Sequence, residues 1–559
     1  MRRTAPILGI FILSGAAGLV YEIVWSRQLV LVFGNTTQAV SAILTGFFGG
    51  MAIGAAVGGR IADRVRSPLR MYGILELALV VVVLVTPLTF RLIHETYRGI
   101  YPALEGTPWI VLVRLLLAVV ALAPATVMMG ATFPVLVRHF SRSSALSQAF
   151  GRLYSANTIG AVAGTLIAGL VLIELLGLSG ALAVGAGCSG IAGLIALGLA
   201  RRDDRETVGK PMSEARRLSD MTPAVASKGS MRLALVIAFV SGLTSLGYQV
   251  TWTRLLASGT GGFTYVFTAV LALFLIGIAL GAIIFSVLRS RMTNPIRVLA
   301  ISQLAVAALA IVGLVLVIGS PSPLDPSDPV GSVSKLVISA LLVVLPVTTV
   351  MGIAFPTASA LLRDEVGHAG TESGSLLAIN TLGAIVGSLI IPFTLMPTIG
   401  SPAIVVVLAV TNAALGIGLA VVARPPRRAL AAVGVGLAVV IALVAARPGT
   451  VVQPNVALIA AQGWHLFASD EDEIASVQAG QKTFTPELWV AGTSMTLLTV
   501  DAKLMPILPL IARPESDRAL VVAFGMGTAF RSALIAGLTT DVVELVPSVP
   551  EMFGYYYPD

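Results

Sequence analysis

Apolar runs of about 20 residues, separated by short polar or basic stretches, follow one another from the amino terminus to residue 446 and then stop. A helix rising 1.5 Å per residue needs roughly 20 such residues to cross a hydrocarbon core, and about thirteen stretches reach that length. They run Ala5–Trp25, Thr37–Gly58, Met71–Ile93, Trp109–Val137, Leu153–Gly177, Leu178–Ala200, Leu233–Trp252, Phe263–Leu288, Val298–Gly319, Leu336–Leu362, Leu376–Leu395, Pro402–Ala423 and Ala429–Ala446. From Trp464 onward the runs shorten and turn residues appear, the pattern of a small soluble domain. Strands are expected at Glu473–Ala479 and Glu487–Ala491, followed by a helix near Asp501–Ile511. A buried strand, Ala519–Phe524, then leads through the turn Gly525-Met526-Gly527-Thr528 into a helix, Ala529–Ala536, and a second strand, Asp541–Glu544.

The membrane pattern is written twice. Ser14-Gly15, Tyr21, Trp25 and Arg27 return 227 positions later as Ser241-Gly242, Tyr248, Trp252 and Arg254, and Gly50 and Gly54 return at the same distance as Gly277 and Gly281. Pro124, Met129-Gly130 and Phe133-Pro134 return as Pro346, Met351-Gly352 and Phe355-Pro356, and Asn157-Thr158, Gly160 and Gly164 as Asn380-Thr381, Gly383 and Gly387. Two copies of six helices, in the same order, are therefore expected. Six is even, so both copies enter from the same side, a parallel repeat about an axis along the membrane normal.

Composition supports lipid as the solvent: 56% of the 559 residues are hydrophobic, 11% are charged, and the mean hydropathy is +0.93. The 56 glycines suit close helix packing. The net charge of +8 lies in short loop clusters rather than on one face, which argues against nucleic acid and for topology. Arg60, Arg64, Arg66 and Arg70, then Arg138 and Arg142, the linker Arg201 to Arg232, Arg289 to Arg297 and Arg424 to Arg428 fall on one side, while Asp325 and Asp328 lie on the other. The positive-inside rule puts the basic loops and the amino terminus in the cytoplasm, and the inner (plasma) membrane is the expected location. Met1-Arg2-Arg3 and its apolar run read as a retained first helix, because Glu22 and Arg27 follow without a small-residue cleavage site. If Ala429–Ala446 spans, the tail lies on the far side; if it is interfacial, the tail is cytoplasmic. Cys188, the single cysteine, reads as buried filler, and the four histidines have no metal spacing, so no metal is expected.

Ionisable groups in membrane helices cost about 2.5–3.5 kcal/mol each on insertion scales, so those present point to function or pairing. Glu22 and Glu76 are the candidates to face a cavity and meet a cationic substrate; Gln249 stands where Glu22 recurs. Asn157 and Asn380 are candidates for substrate contact or for hydrogen bonds between helices. Arg27 and Arg254, beside Trp25 and Trp252, are expected to snorkel. In the loop Gly59-Arg60-Ile61-Ala62-Asp63-Arg64-Val65-Arg66, Asp63 is placed to accept hydrogen bonds from a neighbouring helix end or arginine and latch one conformation, with Arg64 holding the loop inside. That loop resembles the basic loop motif of major facilitator transporters.

The run S-G-x-x-x-L-x-Y-E-x-x-W-x-R-x-L, with M-G-A-T-F-P and Y-S-A-N-T-I-G-A-V-A-G-T, is similar to the membrane part of fused transporter/spermidine-synthase-like proteins. The resemblance covers nearly the whole chain. It implies a tail with a partial Rossmann-like aminopropyltransferase fold, in which Gly525, Gly527 and Glu544 hold decarboxylated S-adenosylmethionine or a related thioadenosine nucleoside. Two departures count against catalysis: Val500–Pro506 keeps one acid and no histidine, and the family's proton-accepting aspartate belongs on a later strand. A fragment of a longer product, or a tail unable to transfer an aminopropyl group, is the expectation.

The expected domains are therefore 1–200 and 232–423 for the two six-helix repeats, 201–231 for a cytoplasmic linker, 424–450 for a thirteenth helix and 451–559 for the nucleotide-binding tail. Three functions compete: a membrane-bound aminopropyltransferase-like protein of polyamine synthesis or handling, a transporter of polyamines or other organic cations with a sensory or degenerate tail, and a membrane scaffold. Lipid and a small cationic substrate are the expected partners.

Overall fold

The computed structural model of the chain describes residues 4–33, 37–104, 107, 109–142, 144–207, 228–257, 264–319, 329–362, 366–423, 454–472 and 474–558. The first bundle contains α1 (Thr4–Phe33), α2 (Thr37–Arg64), α3 (Pro68–Leu104), α4 (Trp109–Phe140), α5 (Leu146–Ile167) and α6 (Ile173–Thr207). The second contains α7 (Lys228–Ala257), α8 (Thr264–Leu288), α9 (Pro295–Gly319), α10 (Pro329–Ala358), α11 (Ala369–Ile390) and α12 (Met396–Ala423). Most of the linker expected at 201–231 and the thirteenth helix expected at 424–450 lie outside the described residues.

Among the described residues, ten helical segments are long and apolar enough to cross a membrane. Two of these, Leu146–Arg202 and Ala369–Ala423, run to 57 and 55 residues, more than twice the roughly 20 that one crossing needs. Each reverses at one glycine in a conformation closed to most side chains, Gly177 (φ 67°) and Gly400 (φ 75°). A five-residue π-helical stretch precedes each reversal, Ala168–Leu172 and Ile391–Leu395. The doubling thus reaches into local backbone irregularities. Side chains that point outward are large and apolar, Val81 at 63% and Val421 at 73% exposure among them, as lipid requires.

Helix pairing is the same in both bundles: α1 against α5 matches α7 against α11, α2 against α4 matches α8 against α10, and α3 against α6 matches α9 against α12. Glycine permits the closest of these approaches. A methyl group at Gly15 would lie 2.3 Å from the Asn157 carbonyl oxygen, and one at Gly242 would lie 1.9 Å from that of Asn380. The bundles meet through α2 against α11 and α5 against α8, with Phe150 and Phe355 in edge contact across the interface at 5.6 Å.

The tail is less of a nucleotide-binding fold than the resemblance implies. A short helix, Pro454–Ala461, is followed by an antiparallel sheet of β1 (His465–Glu471), β2 (Ser476–Lys482), β3 (Thr485–Val490) and β4 (Thr493–Leu497). The sequence reading misses β1 and β4 and the helical break at Met505–Pro506 between Val500–Leu504 and Ile507–Ala512. A tight turn explains the omission of β4: Ala491 and Gly492 adopt positive φ and join it to β3 with almost no loop. Among the described residues, only β5 (Arg518–Val522), the helix Thr528–Ile535 and β6 (Thr539–Val543) make a parallel βαβ unit.

Candidate functional site

Two polar clusters sit at equivalent places in the bundle cores. In the first bundle, Ser14 Oγ donates to Glu76 Oε1 at 2.5 Å, and Tyr21 OH donates to Ser189 Oγ at 3.1 Å. In the second, Gln303 Nε2 donates to Ser241 Oγ at 3.2 Å, Asn412 Nδ2 donates to Tyr248 OH at 3.4 Å, and Thr244 Oγ1 donates to Asn412 Oδ1 at 3.3 Å. Glu76 and Gln303 are both buried, and each keeps one oxygen, Oε2 and Oε1 respectively, without a hydrogen-bond partner among the described residues. Tyr72, one turn from Glu76, donates its hydroxyl to the Ile10 carbonyl at 3.4 Å. Leaving a buried acceptor unmet costs about 1–3 kcal/mol, which a donor brought by a ligand recovers.

Charge distinguishes the two clusters. The carboxyls of Glu22 and Glu76 become the amides of Gln249 and Gln303 at the same 227-residue spacing. The Glu76 correspondence is absent from the sequence reading, which pairs only Glu22 with its amide. Ser14, Gly18 and Glu22 form one stripe of α1, four residues apart. No Lys or Arg pairs with Glu22 or Glu76 among the described residues. The second cluster opens into a cavity lined by Ser241, Thr244, Gln303, Asn380 and Asn412, with Tyr154 reaching in from α5; none of its lining side chains is charged.

The asparagines hold seams between helices. Asn157 lies against Gly15, and Asn380 Nδ2 donates to the Ala238 carbonyl at 2.9 Å while also facing the cavity. At the opposite end of the bundles, Asp63 joins α2 to α11. Its two oxygens accept from Gly370 N at 2.9 Å and Thr371 N at 2.7 Å, the first turn of α11, and Arg138 Nε lies 3.2 Å away. A carboxylate there meets unsatisfied amides and the positive end of the helix dipole together. Arg64 is exposed beside it.

In the tail, Gly525 (φ 56°) and Gly527 (φ 74°) make the turn after β5. Gly527 is enclosed by Phe553 and Phe524, where a methyl group would lie 2.4 Å from the Phe553 ring. Glu544 Oε2 accepts from Phe524 N at 2.7 Å, and Oε1 accepts from Leu545 N at 2.7 Å and Val546 N at 3.0 Å. Both oxygens are thus committed to backbone, which ties the glycine turn to the end of β6. Arg254 pairs with Glu471 of the tail at 3.2 Å.

A family model described as Major Facilitator Superfamily matches residues 7–388. A crystal structure of a major facilitator transporter, FucP, in the outward conformation is similar over 74% of this chain and 97% of its own, at 16% identity and a TM-score of 0.47. A bacterial homologue of the iron transporter ferroportin, outward-facing with soaked iron, is similar over 76% and 98%, at 13% identity and a TM-score of 0.50. The nucleoside transporter NupG is similar over 75% and 98%, at 14% identity and a TM-score of 0.42. No curated protein matches the sequence.

Proposed function

The chain belongs to the Major Facilitator Superfamily, and on that premise we propose that it is a transporter of small organic cations, polyamines among them. It is a multi-pass integral membrane protein, and the proposed setting is the inner (plasma) membrane with the amino terminus in the cytoplasm. One observation carries the choice of substrate. Glu22 and Glu76 stand in membrane helices with no basic partner among the described residues, while their equivalents in the other bundle are amides. A protonated amine supplies the countercharge that lipid withholds. Alternating access then moves one bundle against the other, and the bond from Asp63 to the first turn of α11 latches one of the two states.

Uptake by the purified full chain in proteoliposomes tests this reading. Labelled spermidine is expected to accumulate while an uncharged hexose does not, and Glu76→Gln is expected to lower spermidine uptake at least tenfold. Equal uptake of both solutes, or indifference to Glu76→Gln, overturns the choice of cation.

The second reading, a membrane-bound spermidine-synthase-like protein, rests on the β5–glycine turn–helix–β6 unit ending in Glu544. In that reading the tail binds decarboxylated S-adenosylmethionine or another thioadenosine nucleoside. The engagement of both Glu544 oxygens by backbone amides leaves fewer lone pairs for ribose hydroxyls and favours a degenerate tail over one that binds the nucleoside. Titration calorimetry with methylthioadenosine decides: heat of binding that is lost in Glu544→Gln supports a nucleoside site, and no heat removes it.

A further inference from the structure

The first helix of each bundle carries the same arginine near the end remote from the basic loops, Arg27 on α1 and Arg254 on α7. Among the described residues, only Arg254 of the two is paired with the tail. Its Nε lies 3.2 Å from Glu471 Oε1, one terminal nitrogen donates to the Asp472 carbonyl at 2.7 Å, and the other donates to the Ile474 carbonyl. Three acceptors from one short stretch match the planar fork of a guanidinium, a geometry lysine cannot reproduce.

Glu471 reaches on to the reversal between α11 and α12. Its Oε2 accepts from Ser401 N at 2.8 Å and its Oε1 from Ser401 Oγ at 2.6 Å, immediately after Gly400. The position equivalent to Ser401 in the first bundle is Leu178, which has no hydroxyl to offer. Behind Glu471, the neighbouring Asp472 is itself fixed: Oδ1 accepts from Ile474 N and Ala475 N, each at 2.7 Å, and Oδ2 from Ser548 N at 3.0 Å and Ser548 Oγ at 2.7 Å. Glu471 and Asp472 are both buried in this contact. The route therefore runs from α7 through Glu471 to the α11–α12 reversal, and through Asp472 into the body of the tail.

We propose that the tail is, among the described residues, a brace built against the second bundle. It pins the far end of α7 to the α11–α12 reversal, so that opening on that face is carried by α1 of the first bundle, which among the described residues has no counterpart to the Ser401 contact. The bundles are thereby mechanically unequal although their helices pair alike. The opening rests on the transport reading above; the brace itself rests only on the contacts.

Spin-label distances on the full chain in nanodiscs test it at equivalent places: Val30 with Leu176 in the first bundle, and Ala257 with Ile399 in the second. The second pair is expected to give a narrow distribution that spermidine leaves unchanged, and the first a distribution at least twice as wide. Glu471→Gln is expected to widen the second pair to match the first. Arg254→Lys serves as a second variant, with circular dichroism and monodisperse elution establishing that each variant is folded. A second pair as broad as the first in the unaltered chain, or one that stays narrow in both folded variants, overturns the brace. The widths are read whether or not spermidine is carried, so a failure of the substrate assignment shows separately, in the uptake assay.

Discussion

Glu76 and Gln303 occupy the same position in the two bundles, each hydrogen-bonded to the serine of its neighbouring first helix, Ser14 or Ser241. The two side chains have nearly the same shape and differ in charge, which separates the geometric part of the site from its electrostatic part. Gln303→Glu is expected to leave the fold intact and to weaken transport less than Glu76→Gln does, because it adds a carboxyl without removing the existing one. Uptake of labelled spermidine by the two variants side by side gives the order.

Close helix contact in both bundles depends on glycine. Gly242→Ala is expected to cost several kcal/mol, about what an overpacked core site costs at its upper end, because the obstacle is the Asn380 backbone rather than a movable side chain. Gly9→Ala, where nothing lies within 4 Å, is expected to be neutral. Thermal unfolding in detergent, followed by monodisperse elution, compares the two.

Removing the charge of Asp63 discards the pairing with Arg138 and weakens two hydrogen bonds to the first turn of α11. Asp63→Asn is therefore expected to loosen α2 from α11. A cysteine placed at Ser373, which is buried, is expected to become several times more reactive to maleimide in that background.

Asp472 accepts four hydrogen bonds from buried partners. Asp472→Asn turns one acceptor into a donor facing donors, and leaving such groups unpaired costs about 1–3 kcal/mol each. Hydrogen exchange is expected to rise in 465–497 and around Ser548, with α1 to α6 unchanged.

Glycine 527 carries both a positive φ and an enclosed position under Phe553. Gly527→Ala is expected to unfold the βαβ unit locally, at a cost of about 1–2 kcal/mol from backbone conformation alone before the ring contact is counted. Loss of protection confined to 518–556 is the expected exchange pattern.

The membrane fold was legible because its code is coarse: run length gave the helices, and the spacing of Ser14, Tyr21 and Gly54 from Ser241, Tyr248 and Gly281 gave the doubling. The reversals were legible as boundaries, since the reading places span ends at Gly177 and Leu395. The site was partly legible. Glu22 and Glu76 stood out as charges in apolar helices, yet the match of Glu76 to Gln303 required aligning the third helices as well as the first. The contact between Arg254 and Glu471 was not legible at all. It joins residues 217 apart across a domain boundary, and no periodicity carries such information. The available signal was the run of acids Asp470-Glu471-Asp472-Glu473 at the end of a strand whose paired residues on β2 are uncharged.

The reversals at Gly177 and Gly400 bear on how the protein is made. A turn of one glycine leaves no hydrophilic loop between its two crossings, so neither crossing of a pair is released into the bilayer independently while the other still waits in the insertion machinery. The last two spans of each bundle are expected to integrate together, as a preformed hairpin, after four spans have entered singly. The same shortness denies proteases and glycosylating enzymes a substrate there. An epitope inserted at either glycine is expected to abolish membrane integration rather than report which side it faces.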